Sequence, residues 1–303
     1  MKRSASSFAT SSRVAAGIAR RSLQLAALVA LIGTPLQAAT PTDPESSAAP
    51  ADRFDVVVVD AGHGGEDDGA RGISGLIEKR VVLDVSRRLA ARLRAHGIQV
   101  VLTRDADDFV PLEARTSVAN DARGDLFISI HANSSRSAKP RGIETYFVSL
   151  EASDEGSHEV AERENRALGA TGPASLRLDP LSAILGDMAV NEHVRESSDF
   201  AKLAQAELAG VDPVRSRGIK QAPFVVLMGV RMPATLLEIG FLSNREDERA
   251  LRSEKHREQI ADAVARAVVA FGQDYDKRHG VDKRHGVDER ASLSRRWTRG
   301  GDR

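Results

Sequence analysis

Residues 56–65 read Val-Val-Val-Val-Asp-Ala-Gly-His-Gly-Gly, an apolar run that leads into a glycine-rich loop carrying His63. Residues 126–133 read Leu-Phe-Ile-Ser-Ile-His-Ala-Asn and place His131 at the end of a second apolar run. Short apolar runs of this kind predict buried strands. Because ligands of open α/β sheets bind beyond the carboxyl ends of the strands, both histidines are expected at one site. Two imidazoles in that position indicate a metal site.

Glu78 can add a carboxylate to the two histidines. It lies fifteen residues after His63, near the start of a segment, 78–85, that predicts a helix with a buried stripe. Two histidines and one glutamate with one open position are a ligand set of catalytic zinc sites. A single histidine after a strand is more often a hydrogen-bonded core or loop residue, so the prediction depends on all three residues together.

A third apolar run, residues 234–244, contains Glu238. An unpaired carboxylate is costly to bury, so this acid needs a partner or a function. Glu238 either pairs with an arginine elsewhere in the chain or acts as a general base whose proton affinity is set by desolvation and the metal. Asp60 likewise has two interpretations, as the group that orients His63 or as a cap of the following loop.

Four ordered blocks between about residues 55 and 272 resemble the zinc-dependent N-acetylmuramoyl-L-alanine amidases of the amidase 3 family. The blocks are residues 60–65 with Gly69, Ala70 and Glu78; Thr103-Arg104 with Leu112 and Arg115; residues 129–133; and residues 237–244. The resemblance implies zinc held by His63, Glu78 and His131, with Glu238 as the catalytic glutamate. It also implies peptidoglycan as the substrate, cleaved at the amide between N-acetylmuramic acid and L-alanine of the stem peptide.

The chemistry agrees with that expectation, because an unactivated amide needs a strong nucleophile and a stabilised oxyanion. Zinc supplies both, and Glu238 would take the proton of the attacking water and pass it to the leaving nitrogen. The chain has no cysteine, which excludes thiol catalysis. Two alternatives stay open: a zinc exopeptidase or carboxypeptidase acting on wall peptides, and a non-catalytic wall-binding relative.

The two ends of the chain differ in composition from its middle. Residues 1–39 combine basic residues, an apolar run at 23–33 and small residues at the end, which predicts an export signal and a periplasmic protein. The pair Arg20-Arg21 resembles a twin-arginine signal. Residues 40–52 predict a linker, and residues 274–303, which contain a six-residue repeat, predict a disordered tail.

Residues 53–273 are therefore expected to form one catalytic domain. The predicted fold is α/β, a twisted and mostly parallel sheet flanked by helices. Strands are expected at 54–60, 98–103, 125–131, 142–149, 222–228 and 234–239, and helices at 78–96, 111–122, 197–209 and 246–271. With 43 basic and 43 acidic residues, nothing favours nucleic acid as a partner, and we expect a monomer with no membrane-spanning segment in the mature protein.

Residues 151–198 form a long insert that predicts an acid-rich helix followed by an apolar one. The insert resembles the regulatory helix of the Gram-negative cell-separation amidases, which implies autoinhibition and a role in daughter-cell separation. Glu155 and Glu159 are the candidates to occupy the open zinc position. Leu181, Ile184 and Leu185 are the candidates to dock an activator, expected to be a degenerate LytM-domain protein. The alternative for these acidic residues is a solvated charged helix.

Overall fold

The sheet of this computed structural model has six strands, and the structure describes residues 53–166, 188–211 and 216–281. The strands are β1 (Val56–Ala61), β2 (Gln99–Leu102), β3 (Leu126–Asn133), β4 (Ile143–Val148), β5 (Ser216–Ala222) and β6 (Ala234–Phe241). The helices are α1 (Glu78–Ala95), α2 (Leu112–Asp121), α3 (Glu155–Glu164), α4 (Met188–Ala209), α5 (Val225–Met228), α6 (Arg245–Arg252) and α7 (Glu254–Arg278). Several predicted features lie outside the described residues: the export signal, the linker, the second copy of the six-residue repeat (282–287), and Leu181, Ile184 and Leu185.

The strand order is β2-β1-β3-β6-β4-β5. Every neighbouring pair is parallel except β4 and β6, which are antiparallel. The prediction of a mostly parallel α/β sheet is therefore confirmed. Strands β3 and β6 are buried along their whole length, which explains why their sequences read as nearly continuous apolar runs.

The two faces of the sheet carry different helices. One face packs its apolar side chains against α1, α4 and α7. On the other face, Phe127, Leu236 and Tyr146 pack against α2, α3 and α5. Because side chains alternate along a strand, His131 and Glu238 lie on this second face, together with α3.

The strand predicted at 222–228 is wrong. Strand β5 ends at Ala222, Pro223 follows, and Val225 to Met228 form the short helix α5. Proline has no N–H to donate to a strand ladder, so the apolar run after it packs against the sheet as a helical turn. The strand itself begins at Ser216, in a polar stretch whose side chains are mostly exposed or half-buried.

The helix predicted at 246–271 is two helices. They separate at Ser253, whose backbone is extended with φ −74° and ψ 122°. Helix α7 then continues to Arg278, five residues past the predicted end of the domain at residue 273. Tyr275 accounts for the extension, because its ring packs against Phe54 and Phe271 at centroid distances of 5.8 and 6.2 Å. Among the described residues, no helix combines the length and apolarity that a membrane span requires.

Candidate metal centre

Four buried side chains converge where β1 and β3 end. His63 follows β1, Glu78 is the first residue of α1, His131 belongs to β3, and Glu164 is the last residue of α3. Each offers one donor atom, and these atoms all lie within 4.8 Å of one another. The structure thus brings together the three metal ligands predicted from the sequence and adds a fourth carboxylate from the insert.

The donor atoms are spaced as ligands of one ion would be. Nε2 of His63 lies 3.0 Å from Oε1 of Glu78 and 3.2 Å from Oε2 of Glu164. Nδ1 of His131 lies 3.2 Å from the same Glu78 oxygen and 3.0 Å from the same Glu164 oxygen. Tetrahedral zinc, with bonds of about 2.0–2.2 Å, places its ligand atoms at about these separations. Nε2 of His63 and Oε2 of Glu164 have no hydrogen-bond partner despite their burial, so both atoms are available to a cation that displaces the imidazole proton.

The charges also suit a divalent cation. Burial alone would raise the pKa of Glu78, but the charge of His63 outweighs it and holds that pKa at about 2. Burial likewise would lower the pKa of His131, whereas the Glu164 and Glu78 carboxylates raise it to about 9. Burial would also raise the pKa of Glu164, but the charges of His131 and His63 hold it well below its usual value. Both carboxylates are therefore ionised, and a divalent ion that displaces the histidine protons would neutralise them.

The loop that carries His63 is held in a strained conformation. His63 has φ +58°, a left-handed backbone that non-glycine residues rarely adopt. Arg115 supports it by donating from Nη2 to the His63 carbonyl at 2.8 Å. Gly69, with φ +64°, leaves room for the site, because a Cβ there would lie 2.5 Å from Cδ2 of His63 and 2.7 Å from Oε2 of Glu78. Arg115 is thus structural.

Asp67, and not Asp60, orients the His63 ring. Oδ2 of Asp67 lies 2.9 Å from Nδ1 of His63, which fixes the ring so that Nε2 faces the other donors. Asp60 instead accepts from Arg115 at 2.7 Å, and from the hydroxyls of Thr103 and Ser129. Asp60 therefore links β1 to helix α2, to strand β3 and to the residue that follows β2. The sequence signal for Asp67 was its place four residues after His63, inside the glycine-rich loop.

Glu238 lies beside the cluster, and its carboxylate accepts no hydrogen bond from the described residues. It is opposite His131 on the neighbouring strand and is fully buried. Neither of its carboxylate oxygens has a hydrogen-bond partner among the described residues, and Nη2 of Arg163 lies 4.0 Å from Oε1. Burial and the negative charge of Glu164 raise the pKa of Glu238 well above its usual value. A buried carboxyl with high proton affinity next to a metal site is suited to accept a proton.

Comparison with known proteins places this geometry in a family. Residues 57–270 match the family Amidase_3, described as N-acetylmuramoyl-L-alanine amidase. The chain belongs to this family. It is 36% identical to the amidase AmiA of Escherichia coli K12 over 225 residues, which cover 74% of this chain and 78% of AmiA. It is 34% identical to AmiC of Neisseria meningitidis serogroup B, over 75% of this chain and 55% of AmiC.

Solved structures give the same result for the amidase fold. AmiC2 of Nostoc punctiforme is 32% identical, with a TM-score of 0.56, over 73% of this chain and 98% of that one. The catalytic domain of CwlV, an amidase from Bacillus (Paenibacillus) polymyxa, is 30% identical, with a TM-score of 0.55, over 72% of this chain and 97% of that one. The enzyme class expected from the sequence, N-acetylmuramoyl-L-alanine amidase, is therefore confirmed.

The insert of this amidase meets the metal site through Glu164, whereas Glu155 and Glu159 are exposed. The difference follows from helical periodicity. Residues 157, 160, 161 and 164 form the buried stripe of α3, and positions 155 and 159 face solvent. The acid-rich helix was recognisable in the sequence, and Val160 and Ala161 carried the signal for its phase, since Glu164 follows them by four and three residues.

Proposed function

We propose that this amidase is zinc-dependent and cleaves the amide between N-acetylmuramic acid and L-alanine in peptidoglycan. His63, Glu78 and His131 would hold the zinc, and Glu238 would be the general base. The observation that carries the proposal is the convergence of the histidine and carboxylate donors at 3.0–3.2 Å beside a buried glutamate that accepts no hydrogen bond among the described residues. Lewis acidity toward the amide carbonyl and toward water is what zinc supplies when bound.

Glu238 performs the proton transfers in this proposal. Its unpaired oxygens can accept the proton of the attacking water, and the carboxyl can then donate that proton to the alanine nitrogen as the amide bond breaks. Burial raises the pKa of this carboxyl, which makes its ionised form a stronger base toward the attacking water. The leaving group is then a neutral amine, and Glu238 returns to its starting state.

The insert would make the enzyme autoinhibited. Oε2 of Glu164 would be the fourth donor and would occupy the position that a substrate carbonyl or water needs. Arg163 fixes this arrangement by hydrogen bonds to the Ser134 carbonyl and, at 2.8 Å, to Oδ1 of Asn133 at the end of β3. Activity would therefore require α3 to move away. We propose that a LytM-domain activator provides this displacement, with Leu181, Ile184 and Leu185 as its docking residues.

The cellular setting belongs to the same proposal. Export by residues 1–39, with Arg20-Arg21 directing the twin-arginine route, would deliver the enzyme to the periplasm, where peptidoglycan lies. An amidase inhibited until an activator arrives is suited to wall remodelling during daughter-cell separation, because uncontrolled hydrolysis would weaken the wall.

The direct test is digestion of purified peptidoglycan by the zinc-loaded protein, with products read by mass spectrometry. We expect free stem peptides that begin with L-alanine, together with intact glycan strands, and an increase when activator is added. Shortened stems still attached to muramic acid would show an exopeptidase instead. No product from the enzyme, with activator or with Glu164 replaced by alanine, would support the non-catalytic interpretation.

Asp67→Ala is expected to weaken zinc binding about tenfold, the lower end of what loss of a ligand-orienting carboxylate costs, because Asp67 is partly exposed. Without this partner, the His63 ring loses its fixed orientation and tautomer. The measurement is competition with a chromophoric chelator. Glu66→Ala, at the exposed neighbouring position, is the matched control and should bind zinc like the unmodified protein. Equal affinities for the two variants would contradict the assignment.

A further inference from the structure

The start of α3 contacts a second charged site, away from the metal ligands. Asp154 caps the helix by accepting from the Ser157 N–H at 2.7 Å. Its other oxygen, Oδ2, lies 3.2 Å from Nζ of Lys220 on β5. The same ammonium lies 3.0 Å from Oε1 of Glu144 on β4. Helix α3 thus places one carboxylate at each end of its length, Glu164 on the histidines and Asp154 on a lysine.

The two sites lie on the same face of the sheet, on a path that crosses the strands and shifts by two residues along β4. His131 is opposite Glu238, Glu238 is opposite Glu144, and Tyr146, two residues further on β4, is opposite Lys220. Three strand spacings separate β3 from β5, which is about 14 Å at about 4.8 Å each. The ten-residue helix gives about 15 Å from its cap to Glu164, at 1.5 Å per residue. The two lengths agree, so α3 covers a track that runs from the metal site to Lys220.

When α3 moves away from the sheet, the end of this track at Lys220 carries a net positive charge. Glu144 is buried and accepts from Arg217 at 2.7 Å as well as pairing with Lys220. Among the ion pairs of the described residues, Lys220 has one further partner, Asp154, and Arg217 has none. Without it, one carboxylate faces two positive charges. That imbalance favours an incoming anion at Lys220, whose side chain is already 14% exposed beneath the helix.

We propose that Lys220 binds a carboxylate of the stem peptide, and that Asp154 occupies the same place while α3 covers the site. The proposal rests on the proposed function, since the scissile amide must lie at the metal site. An extended peptide spans 14–15 Å in about four residues, at about 3.3–3.6 Å each. The carboxylate therefore belongs to the third, fourth or fifth stem residue. Arg217 holds Glu144 in place and lies over the Phe241 ring at 5.2 Å, which leaves the ammonium as the binding group.

The test measures how hydrolysis depends on stem length, in protein carrying Glu164→Ala, which removes one of the contacts that hold α3 over the site so that the stem peptide can displace the helix. Muramoyl peptides with stems of two to five residues are compared with forms amidated at the terminal carboxyl. We expect kcat/KM to rise about tenfold from the dipeptide to the longer stems, through KM, and to fall again on amidation. Adding Lys220→Met should remove this difference, and Lys220→Arg should restore most of it. Asp154→Asn, which loosens the helix but keeps the cation, should retain it.

Binding of a free stem tetrapeptide gives a second readout that does not depend on turnover. Calorimetry on metal-free Glu164→Ala protein should show about tenfold weaker binding after amidation, and no such difference with Lys220→Met. An unchanged length dependence in Lys220→Met, or an equal loss on all lengths, would overturn the proposal and make Lys220 a structural partner of Glu144. If no form cleaves any substrate, the proposed function fails, and the calorimetric comparison still decides whether Lys220 recognises the carboxylate.

Discussion

Glu238→Gln is expected to lower kcat for amide hydrolysis by about 10³-fold, within the range that a positioned general base contributes. Glutamine has the shape of glutamate but does not accept the proton of the attacking water. Because Glu238 is not among the donors that converge on the metal position, bound zinc should stay at one ion per chain. The measurement is release of L-alanine-terminated peptides, with zinc content determined by mass spectrometry on the same samples.

The folded state should tolerate this substitution. Glu238 makes no hydrogen bond among the described residues, so none is lost, and the neutral amide avoids the cost of burying a charge that raises the pKa of this carboxyl. We expect the free energy of unfolding to change by less than about 1 kcal/mol. Glu144→Gln is the informative contrast, because it removes a charge that holds Arg217 and Lys220 and should destabilise the protein measurably. If the kcat of the Glu238→Gln enzyme stays within tenfold of normal, another group is the general base.

The cluster that could hold a metal was predictable from the sequence because its parts follow simple local rules. Buried parallel strands read as apolar runs, so His63 and His131 could be placed at the carboxyl ends of two strands. Glu78 begins α1, and helix starts are recognisable from the loop that precedes them. Glu238 was conspicuous as an acid inside an apolar strand. The position of each of these residues follows from the sequence immediately around it.

The contact between Glu164 and the histidines was harder to predict because it depends on how helix α3 is rotated against the sheet. Acidic residues occur throughout α3, and only the packing of Val160 and Ala161 on the sheet decides that Glu164 points at the histidines. Lys220 was missed for a related reason. Strand β5 is polar and lies at the edge of the sheet. The apolar run at 222–228, which begins at the last residue of β5, predicts a strand more strongly than the polar residues that form one. Long-range pairing, which places Lys220 beside Tyr146, leaves no local pattern.

Glu164→Ala is expected to raise the basal rate of peptidoglycan hydrolysis by about ten- to a hundredfold, the usual size of a coupling that holds an enzyme in an inactive state. The same change should weaken zinc binding, since it removes one of four donors. The two effects have opposite signs, and that opposition identifies an inhibitory ligand. Glu78→Ala, at a ligand needed for turnover, should lower both zinc affinity and activity.

A point substitution tests the contact more sharply than removal of residues 153–196 would. That deletion would take away Val160 and Ala161, which belong to the core, and expose the sheet face beneath them. Glu159→Ala is the matched control, because it removes an exposed acid from the same helix and should change neither rate nor zinc affinity. If Glu164→Ala lowers both quantities, as Glu78→Ala should, Glu164 is a working ligand of the active enzyme and α3 does not inhibit it.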